Sequence, residues 1–339
     1  MKVVLLEELG VSQEVIEKHA RKLESMGHVF VAYPKDTDSK VQEERSRDAD
    51  VIMLANMPLN VSVVENSESL KYIDVAFTGV DHIPMDAAKR KGIAVSNASG
   101  YATQAVAELC ISFMIDLLRN VRQTEESCRN GGTKAGLVGN LLYGKTVGIV
   151  GAGAIGKRVA ALCKAFGCKV IAYNRSKVSD PVIDEQMSLD ELLKQADIVS
   201  LHCPLTDQTK GMIGEAQLAM MKKSAFLINT ARGAVVDSVA LARALKEGAI
   251  AGAACDVFEK EPPLDTNHTL LHSPNTIVTP HIAFASVESM EQRAEAISVE
   301  YRFISLIERP VKSLKGVKGS GVSTGLRMQE RSTSKSDNQ

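Results

Sequence analysis

The sequence predicts an α/β fold with two doubly wound, mainly parallel sheets. Short apolar runs of strand type alternate with amphipathic segments of helical length, as is typical of parallel sheets covered by helices. The alternation forms two separate series, one ending near residue 97 and one beginning near residue 146. A length of 339 residues is sufficient for two domains that each bury a core.

The first series predicts the smaller sheet. Its strand-like runs fall at 2–6, 29–33, 51–55, 73–77 and 93–96. A long helical pattern with one apolar face follows, from about residue 103 to residue 129. A further helical pattern spans about 287–307, and we expect it to return to the first domain.

The second series predicts a larger sheet of six strands. Its runs fall at 146–150, 169–173, 197–201, 225–229, 252–256 and 276–279. Crossover segments lie between them, such as 237–247, where Asp237 is expected to cap a helix and Gly248 to end it.

These patterns divide the chain by residue number. Residues 1–99 and 287–312 form one predicted domain, and residues 100–286 form the other. Residues 313–339 are rich in Gly, Ser, Lys and Arg without periodicity, so we expect a disordered tail.

Composition excludes several classes of function. The 40 basic and 41 acidic residues are nearly balanced, so nucleic acid is not an expected partner. No run resembles a signal peptide or a membrane span, and we expect a cytoplasmic protein with no membrane partner. The six cysteines contain no CxxC pair, which indicates a reducing compartment and no metal site.

The segment 146–176 carries the most specific motif. A strand-like run leads into Gly151-x-Gly153-x-x-Gly156, and a helix and a second strand-like run follow. The glycines permit a tight turn and a close approach of the backbone to a pyrophosphate. The helix N-terminus, including Ala154 and Ile155, favours negative charge. This motif predicts a Rossmann-type dinucleotide-binding domain.

Residues after the second strand of this unit bear on cofactor choice. The acid that normally receives the ribose 2′-hydroxyl is replaced by Asn174-Arg175-Ser176. Arg175 is suited to neutralise a 2′-phosphate, and Asn174 and Ser176 add hydrogen bonds. NADP is therefore favoured. The alternative is NAD, with Arg175 stacked on the adenine or facing solvent.

Polar residues follow the remaining strands of the large domain. Ligands bind outside the C-terminal ends of such strands. The residues found there are Cys203, Pro204, Thr230, Ala231, Arg232, Asp256, Glu261 and His281. Arg232 is suited to clamp a carboxylate and polarise the neighbouring carbonyl. His281 can protonate that oxygen as hydride arrives, with Glu261 holding the imidazole. A 2-oxo acid is thus the predicted substrate.

Four motifs resemble those of the D-isomer-specific 2-hydroxyacid dehydrogenases. They are HCPLT at 202–206, NTARG at 229–233, ACDVFEKEPP at 254–263 and TPHIA at 279–283. The resemblance covers residues 1 to about 312 and implies that Arg232, Glu261 and His281 are catalytic. It also implies cofactor contacts from Asp256, which fixes the nicotinamide carboxamide, and from Cys203 on the adenosine side. Further implied cofactor contacts are Pro204, Thr230, Ala231, Arg232, His281 and Ala283.

The resemblance extends to the smaller domain. The loop FTGVDHI at 77–83 matches the family loop that holds the substrate carboxylate, at Thr78 and Gly79. Asn56 lies in a second segment, Asn56-Met57-Pro58, which resembles the family loop that lines the pocket and contains no Lys or Arg. Phe284 stands where a smaller residue is common, and either narrows the nicotinamide end of the cleft or fills core. The implied architecture is a Rossmann-type domain inserted in a smaller flavodoxin-like substrate domain, in a homodimer.

The predicted activity is reduction of glyoxylate, hydroxypyruvate or a similar 2-oxo acid to the D-2-hydroxy acid with NAD(P)H. One alternative is a corepressor-like interaction protein that senses NAD(H). Others are a phosphoglycerate, formate or phosphite dehydrogenase of the same family.

Overall fold

The computed structural model of the protein describes residues 1–260 and 263–296. Two units can be distinguished by their internal contacts. One comprises Met1–Tyr101 with the described residues from Met290 onward, and the other comprises Ala102–Ser289. The predicted tail 313–339 lies outside the described residues, as does the end of the last predicted helix.

The first unit alternates strands and helices. Its strands are β1 (Lys2–Leu5), β2 (Val29–Ala32), β3 (Val51–Leu54), β4 (Tyr72–Val75) and β5 (Ala94–Asn97). Its helices are α1 (Gln13–Ser25), α2 (Ser39–Ser46), α3 (Val61–Asn66) and α4 (Met85–Lys91), and residues 290–296 are helical. Ser12, Asp38 and Asn60 accept hydrogen bonds from first-turn amides, which fixes where α1, α2 and α3 begin.

The five strands of the first unit form one parallel sheet in the order β2-β1-β3-β4-β5. This is the flavodoxin-like order, and its switch point lies between β1 and β3. Every residue of β3 and β4 is buried, as expected for strands with helices on both faces. The prediction of a smaller doubly wound sheet is confirmed.

The second unit holds the larger sheet. Its strands are β6 (Thr146–Val150), β7 (Lys169–Tyr173), β8 (Glu185–Gln186), β9 (Ile198–Leu201), β10 (Phe226–Asn229), β11 (Gly252–Cys255) and β12 (Thr276–Val278). Its helices are α5 (Thr103–Arg119), α6 (Val121–Arg129), α7 (Ala154–Ala165), α8 (Leu189–Gln195), α9 (Glu215–Met220) and α10 (Ser238–Lys246). Short 3₁₀ turns occupy Gly233–Val235 and Thr269–His272.

The second sheet is parallel throughout, in the order β12-β11-β10-β9-β6-β7-β8. This is the Rossmann order with one added strand, and its switch point lies between β6 and β9. The six predicted strands are present. The seventh, β8, was not predicted because its two residues are exposed and polar and so give no apolar run.

The single helix predicted over 103–129 is wrong in one respect. Asn120 interrupts it with a left-handed φ of 51°, so that α5 ends and α6 begins in a new direction. Asn tolerates this conformation better than other residues with a Cβ. The Asn120 side chain also donates to the carbonyl of Leu137 at 3.2 Å, which stabilises the break.

Each unit has an apolar core of its own. In the second unit the core includes Val150, Leu192, Leu227 and Leu241, all fully buried. In the first unit it includes Val3 and Leu23. Among the residues that the structure describes, no helix is both long enough and apolar enough to cross a membrane.

Candidate active site

The glycine-rich turn joins β6 to α7 at the switch point of the larger sheet. Gly151 has a φ of +98°, which L-residues rarely adopt, and its amide donates to the carbonyl of Tyr173 at 2.9 Å. A Cβ on Gly156 would lie 2.2 Å from the Gly151 carbonyl oxygen. The helix therefore meets the turn at a distance that only glycine allows.

This turn fits the phosphates of a dinucleotide. Gly153 is the N-cap of α7 and has no side chain to accept from the first-turn amides of Ala154, Ile155 and Gly156. A Cβ on Gly153 would meet no protein atom within 4 Å. Free amides at a helix N-terminus with open space before them form an anion site.

The loop after β7 is ordered by its own side chains. The side-chain oxygen of Asn174 accepts from the backbone amide of Ala152 at 3.2 Å, and its side-chain nitrogen donates to the backbone carbonyl and the hydroxyl of Ser176. Gln186 donates to the backbone carbonyls of Asn174 and Ser176 and accepts from the amide of Val178. Asn174 thus connects this loop to the glycine-rich turn, and Arg175 lies exposed between two anchored residues.

The residues after β10 form a turn that is built on Asn229. This residue is 1 % exposed, accepts from the amide of Ala231 at 3.1 Å and donates to the carbonyl of Arg232 at 3.0 Å. The half-buried Arg232 donates to the carbonyl of Ala231 at 2.8 Å. Thr230 shares a buried hydrogen bond with the Cys110 thiol at 3.2 Å. Asn229 therefore sets the backbone that carries the predicted carboxylate clamp.

Asp256 connects the ends of β10, β11 and β12. Its amide donates to the carbonyl of Asn229, and its carbonyl accepts from the amide of His281 at 2.8 Å. Its carboxylate is fully buried and accepts from the hydroxyl of Thr279 and the amides of Ile282 and Ala283. Burial raises the pKa of this carboxyl, although these three donors oppose the shift. Asp256 therefore holds the whole loop that contains His281.

His281 itself has a left-handed backbone, with a φ of 57°. Such a conformation is uncommon for a residue with a Cβ and is maintained here by bonds to Asp256 and Thr279. The half-buried ring of Phe284 meets the imidazole edge to face, with 5.3 Å between centroids and an angle of 90°. Phe284 is therefore a neighbour of His281 and is not a core residue.

Two groups beside the glycine-rich turn are neutral near pH 7. The backbone of His202 and Cys203 lies against Gly151. Burial lowers the pKa of His202 to about 4 and raises the pKa of the Cys203 thiol to about 11. The His202 ring is hydrogen-bonded to the hydroxyl of Ser200 at 2.9 Å. The adjoining Pro204 is exposed.

The predicted substrate residues of the first unit lie in loops after β3 and β4. Asn56 is half-buried between buried Ala55 and Met57. Thr78 and Gly79 are half-buried, and the carbonyl of Thr78 accepts from the Asn97 side chain at 2.6 Å. These three residues lie in the loops that follow the carboxyl ends of β3 and β4.

Sequence reasoning missed the residues that support the site. Asn229 belongs to the NTARG motif, and its buried polar side chain at a strand end is the signal that could have revealed it. Gln186 lies far from the loop that it binds, and no local pattern marks it. Glu261 lies outside the described residues, so its role stays a prediction. Among the residues that the structure describes, no cluster of His, Cys, Asp and Glu could hold a metal ion.

Known proteins resemble this chain over most of its length. A family profile described as the D-isomer specific 2-hydroxyacid dehydrogenase, NAD binding domain, matches residues 111–283. A glyoxylate reductase of Thermococcus litoralis is 39 % identical over 277 residues, which cover 78 % of this chain and 83 % of that protein. A D-3-phosphoglycerate dehydrogenase of Methanocaldococcus jannaschii is 39 % identical over 302 residues, which cover 86 % of this chain. The match spans only 56 % of that longer relative.

A solved structure agrees with the fold. The acyclic imino acid reductase Bsp5, in complex with NADPH and D-Arg, superposes with a TM-score of 0.83 at 29 % identity. The match covers 92 % of this chain and 99 % of the reductase.

Proposed function

Because this chain belongs to the D-isomer-specific 2-hydroxyacid dehydrogenase family, we propose that it reduces a small 2-oxo acid to the D-2-hydroxy acid. Glyoxylate, hydroxypyruvate and their short-chain analogues are the proposed substrates. The observation that carries the proposal is the shared sheet edge at which Asp256 connects the Arg232 turn to the His281 loop. The activity makes the chain an oxidoreductase that uses a nicotinamide cofactor.

The cofactor is proposed to lie along the carboxyl edge of the larger sheet. Amides of Gly153, Ala154, Ile155 and Gly156 would hold its pyrophosphate. Arg175, with Asn174 and Ser176, would hold a 2′-phosphate, which favours NADP over NAD. The remaining proposed contacts are Gly151, Cys203, Pro204, Thr230, Ala231, Arg232, Asp256, His281 and Ala283. When bound, the nicotinamide supplies the hydride that reduces the substrate carbon.

Side chains of the protein bind the 2-oxo acid and supply the proton that its carbonyl oxygen receives. The planar guanidinium of Arg232 pairs with the carboxylate and withdraws charge from the carbonyl oxygen. Amides near Thr78 and Gly79, together with Asn56, are proposed to bind the substrate as well. His281 donates a proton to the carbonyl oxygen, and Glu261 stabilises the protonated imidazole. The Phe284 ring restricts how the imidazole can turn.

A phosphorylated substrate is disfavoured by the loop after β3. Asn56-Met57-Pro58 provides no cation, and a phosphate normally requires Arg, Lys or several donors. This distinguishes the proposal from 3-phosphoglycerate oxidation, the activity named for one relative.

We also propose a homodimer that is formed by the second unit. Three large apolar side chains within 138–143 are strongly exposed: Val138 at 80 %, Leu141 at 65 % and Tyr143 at 74 %. Phe166, 44 % exposed, belongs to the same unit. A contiguous patch of exposed apolar side chains marks an interaction surface, and we propose that these four residues contribute to one. Sedimentation of the wild type and of Leu141→Glu would test the dimer, since a dimer built here should dissociate in the variant.

The experiment that tests the activity is steady-state reduction of glyoxylate, hydroxypyruvate, pyruvate and branched 2-oxo acids with NADPH and NADH in parallel. Arg232→Ala should lower kcat/KM by roughly 100- to 1000-fold, as expected when a transition-state donor is removed. Arg175→Ala should raise KM for NADPH and leave KM for NADH unchanged. Cofactor binding without turnover on any acid would instead favour an NAD(H)-sensing interaction protein.

The proposed proton donor predicts a pH dependence. Reduction consumes a proton held by His281, so kcat/KM should fall as the pH is raised. Glu261→Gln removes the negative charge that stabilises the imidazolium, so this fall should begin at lower pH. A profile that does not move in Glu261→Gln would argue against the pairing.

A further inference from the structure

Glu7 is a buried carboxylate that the proposed chemistry does not use. It lies two residues beyond the end of β1 and is 3 % exposed. One of its oxygens accepts from the backbone amides of both Ala55 and Met57, each at 2.7 Å. A single buried atom therefore binds two amides that flank Asn56.

The location of this contact follows from the sheet order. β1 and β3 are paired neighbours, and the amide of Leu6 continues the ladder by donating to the carbonyl of Met53. Glu7 and the segment 55–57 thus leave adjacent strands at the switch point of the first sheet. This is the place where open α/β sheets bind ligands.

Burial of the Glu7 carboxylate is expected to lower the stability of the fold unless other contacts compensate. Burying a charge is unfavourable unless it is paired and hydrogen-bonded. The Lys35 ammonium lies 4.0 Å from the second oxygen, but its side chain is 49 % exposed, so it contributes little. The two charge-assisted bonds to amides provide the main compensation.

The effect of those bonds is to fix the backbone on both sides of Asn56. Ala55 and Met57 are buried, with 2 % and 0 % exposure, while Asn56 between them is half-buried. The amide oxygen and nitrogen of Asn56 are therefore carried by a backbone with little freedom. Two backbone amides that converge on one point can bind an anion, and here the anion is the carboxylate of Glu7.

We propose that Glu7 is a positioning residue that presents Asn56 to the substrate and thereby sets KM for the 2-oxo acid. The inference rests on the proposed reductase function. It assigns to Glu7 an effect on substrate affinity that is separate from cofactor binding, because its contacts lie within the first unit.

The test compares Glu7→Leu, Glu7→Gln and Asn56→Ala in the full chain. Glu7→Leu should raise KM for the preferred 2-oxo acid roughly tenfold, since two amides lose their acceptor. The Kd for NADPH, followed by nicotinamide fluorescence, should stay within twofold. Glu7→Gln retains an oxygen acceptor of the same shape and should restore most of the affinity. Glu8→Leu is the matched control, since the Glu8 carboxylate is exposed and accepts from the backbone amide of Lys35, outside the segment 55–57.

A double-mutant cycle decides whether Glu7 acts through Asn56. If it does, Glu7→Leu should add little to the loss already caused by Asn56→Ala. Additive losses, or an unchanged KM in Glu7→Leu, would overturn the assignment while the wild-type activity stands. A wild type that turns over none of the acids would instead overturn the proposed function, and the Glu7 proposal with it.

Discussion

The switch points of the two sheets are alike in topology and opposite in content. After β6, in the larger sheet, the chain turns at Gly151 and leaves the first amides of α7 without a side-chain acceptor at the N-cap. After β1, in the smaller sheet, Glu7 occupies two backbone amides with its carboxylate. The topology therefore determines where backbone amides converge. The residue that follows the strand determines whether a side chain of the protein already binds those amides.

The ionisable groups of the two places also differ. His202 lies beside the glycine-rich turn. Burial lowers the pKa of its imidazole to about 4, so the ring is neutral near pH 7. At the other switch point is the carboxylate of Glu7, bound by amides. The crevice proposed to bind the cofactor phosphates is thus bordered by an uncharged ring, whereas the switch point of the smaller sheet contains the carboxylate of Glu7.

The largest effect we expect concerns His202. Its pKa is about 4 in the folded protein, against the ordinary histidine value of 6.5, so between these pH values the unfolded chain binds a proton that the folded protein does not. Stability from this group is complete above about pH 6.5 and is lost as the pH falls towards 4. The loss amounts to up to about 3 kcal/mol. Urea unfolding at pH 7 and pH 4.5 measures it.

The control for this prediction is His202→Gln, which can still bond to Ser200 but does not titrate. Its free energy of unfolding should fall less than that of the wild type over the same pH interval. Equal losses in the two proteins would mean that the ring gains its proton without unfolding, and the contrast between the switch points would weaken.

The second prediction separates two glycines of the same turn. Gly156→Ala places a Cβ against the Gly151 carbonyl, and overpacking of this kind costs about 1–3 kcal/mol. Both Tm and cofactor affinity should fall. Gly153→Ala meets no protein atom, so its Tm should be unchanged while its Kd for NADPH rises. Calorimetry without cofactor and fluorescence titration measure the two quantities. A Gly153→Ala protein as unstable as Gly156→Ala would show that the space is not open.

The smallest effect is expected for Lys35→Met. The ion pair with Glu7 is long and half-exposed, so the free energy of unfolding should change by less than about 1 kcal/mol. KM for the 2-oxo acid should also stay within twofold. A large rise in KM would mean that Lys35, and not the two backbone amides, is the main group that holds the Glu7 carboxylate in place. Lys35→Arg, which retains the charge, is the matched control.

Much of the fold could be predicted because its signals are local. Apolar runs marked the strands, and Asp237 marked the start of α10, where its side chain accepts from Val239 and Ala240. The break at Asn120 was not predicted, since its left-handed backbone depends on a contact with Leu137, 17 residues away.

In the candidate site, too, features with a local sequence signal were predicted and features that depend on distant contacts were not. Motifs pointed to Arg232 and His281, whose placement at one sheet edge follows from strand order. They gave no indication of the left-handed backbone of His281 or of the three donors that Asp256 binds. Glu7 was missed because a single acid after a strand has no partner at a fixed spacing. The two backbone amides that donate to its carboxylate lie 48 and 50 residues further along the chain.

One hydrogen bond of the first unit affects the order in which the two units can fold during synthesis. The buried Arg293 side chain donates to the carbonyl of Leu9, across 284 residues of sequence. The ribosome therefore synthesises all of Ala102–Ser289 before the first unit can gain the helical residues 290–296. In a nascent chain the second unit can therefore fold before the first unit is complete.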